Sequence, residues 1–357
     1  MKYPVKCLMA ALLIFNITAI TRNPRIPTER LNTGAPAAKF RVVFYNTENL
    51  FHPSDDPGTD DESFTPGGDH HWTYSRYRKK IEDISRCLAL CGETGPPPVI
   101  GLAEIENRQV LEDLTTSTWL AGKGYKIIHK DSPDRRGIDA GFLYDPEIFT
   151  PDRYEMISVD TARYHFFTRD MIHVSGRLHK AGSIHFFVVH WPSRRGGQIG
   201  SEDRRILVAS MLKERIEEIF REFPAANIFI MGDFNDNPDD ISLSETLGAV
   251  KPGKNQDNKT LINLMIPLAA NNEGSYCLQH NFPEWNNLDQ IIVSGSLING
   301  TSGLRIYMKK AFIFREDWLM DPKRTRPYST YLGPSYQGGF SDHLPVYADI
   351  EPEEQDQ

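Results

Sequence analysis

Short apolar runs that end abruptly in polar residues recur along this chain, interleaved with stretches of helical period. Residues 42–45 are such a run, passing straight into Asn46, Thr47, Glu48 and Asn49, as a buried strand with a polar end does. Ile81, Ile84, Leu88 and Cys91 repeat at helical spacing and predict a helix over 76–91, stopped before Pro96-Pro97-Pro98. A further apolar strand over 99–104 places Glu104 at its end, and a helix is expected over 109–120. Residues 125–129 and 139–144 read as strands joined by the charged loop 131–137. From 154 to 190 the pattern turns to β, strongest over 183–190, where a strand delivers His190. Ser201, followed by Glu202 and Asp203, predicts the N-cap and acidic first turn of a helix reaching about residue 223.

The run 228–231 is a buried strand that gives way to Gly232-Asp233-Phe234-Asn235. On continued extended backbone Asp233 and Asn235 would share a face. The same residues also suit an Asx turn that merely closes the strand. Residues 287–294 form a strand headed by Asp289, and Ser341-Asp342-His343-Leu344-Pro345 precedes a last strand over 346–350. Strands and helices alternate early and strands dominate the middle, which predicts helix-covered sheets packed together in one domain over 39–351, with a tail at 352–357.

Composition is that of a globular protein, 39% hydrophobic and 25% charged. Lys2 and Lys6 ahead of an apolar stretch ending at Ile20 resemble a signal peptide over 1–20, and 21–38 reads as a linker. An exported protein, periplasmic or secreted, is expected, or a membrane-anchored one if that segment is retained. The net charge of −8 leaves phosphate binding to a local basic patch and a metal ion. Cys87 and Cys91, one helical turn apart, are expected to be buried small hydrophobes, and Cys277 leaves an odd count once Cys7 is cleaved. The acidic run 52–69, with His70 and His71, reads as a solvated insertion, a second cation site being the alternative.

Taken together, Tyr45-Asn46-Thr47-Glu48, Ala103-Glu104, His190, Gly232-Asp233-Phe234-Asn235, Leu288-Asp289 and Ser341-Asp342-His343 occur in the order of one known family. The chain resembles the endonuclease/exonuclease/phosphatase superfamily, the DNase I-like fold. A narrower resemblance, to bacterial predicted extracellular nucleases, rests on Arg136-Gly137-Ile138-Asp139 and on the stretch from His190 to Gly197. Phe64-Thr65-Pro66 through Trp72-Thr73 adds to it. Many members carry Gln where this chain has Ala103, but the Glu itself is present. The resemblance implies a four-layer α/β sandwich, two mixed β-sheets packed face to face with helices outside. It implies metal-dependent phosphoester hydrolysis, most directly of nucleic acid, with a phosphoester small molecule or lipid as the alternative substrate. A non-catalytic binding module would lack one of these residues, and all are present. No protein partner is implied, and a monomer is expected.

The chemistry of the residues agrees. A hard cation, Mg²⁺ or else Mn²⁺ or Ca²⁺, takes one or two carboxylates plus water and substrate oxygens. Glu104 is the first candidate ligand, with Asn46 and Glu48 nearby and Asp342 acting through water. His343 fits a general base held by Asp289. His190 would donate to a phosphate oxygen, and Asp233 and Asn235 would orient water and the scissile phosphate. Arg136 and Arg195 are candidate phosphate contacts. Glu106 and Asn107 are expected to be local hydrogen bonders, and His165, His173, His179 and His185 structural. Tyr276, Trp285, Tyr328, Tyr331 and Tyr336 are candidates for a stacking groove. Trp318, Leu319 and Met320 are where a lipid-docking surface would be sought.

Overall fold

The computed structural model describes residue 1 and residues 39–353, apart from 180, 196, 255 and 278–283. The expected leader beyond residue 1, the whole linker 21–38 and residues 354–357 lie outside them. Among the described residues, no helix is long and apolar enough to cross a membrane.

Two mixed sheets form the body. In the first, β1 (Phe40–Leu50) runs parallel to β2 (Val99–Ile105) and antiparallel to the C-terminal strand Val346–Pro352. Beyond β2 lie β4 (Asp139–Tyr144) and then β3 (Lys126–Ile128), both antiparallel to their neighbours. The second sheet begins with β5 (Phe149–Ile157), β6 (Met171–Leu178) and β7 (Gly182–His190). It continues through β8 (Ile228–Asp233), the strand Asp289–Ser294 and β9 (Leu261–Asn263). Only β7 and β8 are parallel in this path.

The period of two sorts each strand's side chains between layers. Val42 and Phe44 of β1 face Phe186, Val188, Phe229 and Met231 in the core between the sheets. Val43 and Tyr45 face outward, onto Ile84 and Leu88 of α1 (Tyr74–Cys91) and Leu111 and Leu114 of α2 (Arg108–Thr115). Phe187, Val189 and Ile230 likewise cover the second sheet's outer face against Val208, Leu212 and Ile216 of the long helix Gln198–Glu222. The molecule is thus the expected four-layer α/β sandwich. Helix-covered apolar sheets can bury both faces only in this order.

Helix ends differ from the sequence pattern. α1 starts two residues early because the Thr73 hydroxyl accepts from the Arg76 amide. α2 stops at Thr115, where the Thr115, Thr116 and Ser117 hydroxyls donate back to the carbonyls of Leu111, Glu112 and Leu114. Ser201 is not an N-cap. The helix begins at Gln198 behind Gly197, and the Ser201 hydroxyl donates back to the Gly197 carbonyl inside it. Cys87, Cys91 and Cys277 are buried. Desolvation raises the Cys87 and Cys91 thiols, Cys91 to about 12.

Candidate active site

β1 and β2 lose register just where their polar residues begin, between Asn46 and Leu50 and between Ala103 and Ile105. At these bulges Glu48, Asn49 and Glu104 take positive φ (51°, 52° and 61°), and Asn235 does so after β8 (52°). A left-handed conformation costs a non-glycine residue about 1–2 kcal/mol and is held only by surrounding bonds. Here the Thr47 hydroxyl lies 2.9 Å from the Ala103 carbonyl and 3.2 Å from that of Glu104. The Asn49 amide donates to Glu104 Oε2 at 2.7 Å. The bulges turn the Glu104 carboxylate into a cavity of about 810 Å³ at this end of the sandwich.

Glu104, His190, Asp233, Asn235, Asp342, His343, Arg136 and Arg195 all line that cavity. Asn46 stands behind it, its Nδ2 donating to Asp233 Oδ2 at 3.0 Å and lying 3.4 Å from Glu104 Oε1. Asp289 is fully buried. Its Oδ2 accepts from Ser275 Oγ at 2.5 Å and lies 2.7 Å from His343 Nδ1. That contact turns Nε2 of His343 toward Asp342, 3.8 Å away. His343 is raised well above 6.5: burial opposes this, but Asp289 and then Asp342 and Asp233 outweigh it.

Neighbouring groups shift apart. Asp233, 2% exposed, is pushed up to about 6 by desolvation and by the charges of Asp289 and Glu104, against the opposing charge of His343. His190 is lowered well below 6.5, first by burial and then by Arg169 and Arg136, so its ring is neutral near pH 7. Its Nε2 lies 3.8 Å from Asp233 Oδ2 and 3.9 Å from Glu104 Oε1, while its buried Nδ1 has no hydrogen-bond partner among the described residues. Asp342 is raised by desolvation and by the Glu104 charge, against His343 and Lys80. An imidazolium, a neutral imidazole and crowded carboxylates therefore face one cavity.

Several positions correct the sequence reading. Asp233 and Asn235 do not share a strand face: the Asn235 amide donates to Asp233 Oδ1 at 2.8 Å, an Asx turn, and its side chain donates to the Trp191 carbonyl. Both still reach the cavity, so the turn and the site are the same feature. Glu48 lies behind the metal-ligand candidates rather than among them. Its Oε2 and Oε1 accept from the amides of Thr330 (2.6 Å) and Tyr331 (3.0 Å), and burial pushes it up to about 7. It holds the 330 loop in place. The acidic run is not all solvated: Asp61 is buried, and Asp60, Ser63, Phe64 and His70 line the cavity.

Of the five candidate stacking aromatics only Tyr276 lines the cavity, its ring 4.7 Å from that of His343. Trp285, Tyr328, Tyr331 and Tyr336 pack against the α1 side of the first sheet. Leu319 and Met320 are buried, and Trp318 packs on Phe340, so they present no apolar docking surface. Asn107 caps α2 by accepting from the Val110 amide, a local role, whereas Glu106 accepts from the His52 amide 54 positions away.

Two arginines escaped the sequence reading. Arg194 braces the Asn235 turn, donating to the Asn235 carbonyl at 2.6 Å and to Asp240 at 2.6 Å. Buried Arg169 donates to the Trp191 carbonyl and pairs with Asp134 at 3.0 Å, behind Arg136. Arg194 sits in the Ser-Arg-Arg run, whereas nothing in the sequence around Arg169 marks it.

The model of the Endonuclease/Exonuclease/phosphatase family matches residues 41–352. No curated protein matches the sequence. Among solved structures, a humanized D. rerio TDP2 is 14% identical with a TM-score of 0.55, covering 88% of this chain and 99% of that one. The human nocturnin catalytic domain with bound sulfate anion is 16% identical with a TM-score of 0.52, covering 88% and 95%. An endonuclease/exonuclease/phosphatase family protein from Bacteroides thetaiotaomicron is 14% identical with a TM-score of 0.52, covering 89% and 100%. At such identities these likenesses show the fold. With the family match spanning nearly all the described residues, the chain belongs to the endonuclease/exonuclease/phosphatase family, whose members are typically metal-dependent phosphoric ester hydrolases.

Proposed function

We propose that this chain is an exported, divalent-metal-dependent phosphodiesterase that hydrolyses nucleic acid. The observation that carries the reading is the 2.7 Å Asp289–His343 pair opening on one cavity with Glu104, Asp233, His190 and three arginines. A related D. rerio TDP2 structure is complexed with a single strand DNA product, which supports nucleic acid as the substrate class.

The residues fit a hard cation. Glu104 lines the cavity with its Oε1 beside the Asn46 side-chain amide. The Asp233 and Asp342 carboxylates there are raised by burial and then by neighbouring negative charge, Glu104 included, and the set calls for positive charge. Glu104 and Asn46, with Asp342 through water, would hold it. When bound it would neutralise the phosphoryl oxygens and offset the Asp342 charge that helps keep His343 protonated. Once that offset lets His343 lose its Nε2 proton, Asp289 holds the remaining Nδ1–H tautomer, and Nε2 can then take a proton from the attacking water. The neutral ring of His190 donates one N–H to a phosphate oxygen, and Arg136, Arg194 and Arg195 line the wall where further phosphates would lie. Asp233, near 6, can pass a proton at neutral pH.

The test is hydrolysis of plasmid DNA, RNA, bis-p-nitrophenyl phosphate, sphingomyelin and inositol polyphosphates by the native protein and His343→Ala, with Mg²⁺ and with EDTA. Metal-dependent cleavage of nucleic acid that disappears in His343→Ala is the expected result. Turnover of only a monoester or a lipid would retain the mechanism and refute the substrate.

A further inference from the structure

Away from the cavity, His129, Asp131 and Asp139 form a second cluster, one donor atom from each lying within 4.8 Å of the others. His129 directly follows β3 and Asp139 opens β4, so both ends of the connecting loop meet here. That loop carries Arg136 into the cavity wall.

The His129 and Asp139 side chains are 2% and 3% exposed, whereas that of Asp131 is 82% exposed, a buried floor beneath an open mouth. Asp139 Oδ1 is taken by the Ser132 amide at 3.0 Å, which leaves Oδ2 facing His129 Nε2 at 3.4 Å. This exceeds the ~2.7–3.2 Å of an N–H···O hydrogen bond. Nε2 is buried and has no hydrogen-bond partner among the described residues. Two ligands about 2.0–2.1 Å from a tetrahedral ion stand roughly 3.3–3.4 Å apart, the separation of this Nε2–Oδ2 pair, while Asp131 Oδ1 lies 3.9 Å from the other ring nitrogen, Nδ1. Asp170, buried and adding to the charge around Asp139, makes the region more negative, with Lys130 as the opposing cation.

We propose that His129, Asp131 and Asp139 bind a zinc-class divalent cation, completed by water, that clasps the 129–139 loop and so sets the position of Arg136. One imidazole with two carboxylates suits Zn²⁺ or a similar first-row ion better than Mg²⁺, which favours an all-oxygen shell. The site is distinct from the catalytic set, since Glu104, His343 and Asp289 contribute nothing to it.

The experiment uses Co²⁺ as a spectroscopic probe, titrated into the metal-stripped full chain carrying Glu104→Gln to weaken the catalytic cation set. About one equivalent should bind with the intense visible absorption of four-coordinate cobalt and be displaced by Zn²⁺. Asp131→Asn, at an exposed position, should weaken binding at least about tenfold without moving the thermal transition of the metal-free protein, and His129→Gln should abolish the spectrum. Only the pale spectrum of six-coordinate Co²⁺, or equal binding by Asp131→Asn, would overturn the proposal. Should His129→Gln fail to fold, Asp131→Asn alone decides the outcome.

Discussion

Asp289→Asn is the sharpest perturbation of the proposed mechanism. The native carboxylate is wholly buried, and a single oxygen accepts from Ser275 while facing His343 Nδ1. The amide is nearly the same size, so packing is retained while the charge is lost. Asp289 is the largest of the influences that raise His343 against burial. Without it, burial should bring His343 down toward or below about 6.5. The acid limb of the kcat/KM profile should then move to lower pH. The plateau should fall by about 10³-fold, on the order of 4 kcal/mol, because the imidazolium formed during attack has lost its counter-charge and its tautomer is no longer enforced. The assay is bis-p-nitrophenyl phosphate hydrolysis at saturating Mg²⁺ from about pH 5 to about pH 10. Stability gives a second readout in EDTA. A His raised in the folded state stabilises fully below its unfolded value of about 6.5, and that contribution is lost as pH rises through the folded value. Asp289→Asn should flatten this decline in urea titrations. A plateau within threefold of the native one, or an unmoved acid limb, would refute the assignment of His343 and Asp289 as a working pair.

Three other outcomes follow from the geometry. Glu104→Gln should weaken the Mg²⁺ dependence of activity by at least about 100-fold, while its Oε-to-Asn49 amide contact survives and stability changes little, as a Mg²⁺ titration and a thermal melt would show. Glu48→Ala strands the Thr330 and Tyr331 amides and should cost about 2–4 kcal/mol in urea denaturation, with a smaller change in apparent Mg²⁺ affinity than Glu104→Gln produces. Gly232→Ala places a Cβ 2.2 Å from the Val189 carbonyl oxygen in the paired strand β7. It should cost about 3 kcal/mol and displace Asp233, lowering kcat as well as the melting temperature.

The sequence by itself determined which residues stand at strand ends. A buried strand shows as an apolar run, and the run stops where side chains meet solvent or a cavity. Glu104, His190, Asp233 and Asp289 were legible for that reason, as was the alternation that places Val42 and Phe44 in one layer and Val43 and Tyr45 in the next. Asn46 was legible because the apolar run stops there, although β1 continues to Leu50. What the tertiary structure alone decided are the contacts between distant segments. Asp289 meets His343 across 54 residues, Glu48 turns from the cavity to hold amides 282 and 283 residues away, and Arg169 backs Arg136 through Asp134. The left-handed backbone at Glu104 was equally hidden. That conformation is unfavourable for the residue alone and exists because Thr47 and Asn49, from the neighbouring strand, hold it. Local pattern is set by the burial of each run, whereas a site is set by which runs the sheet topology brings side by side.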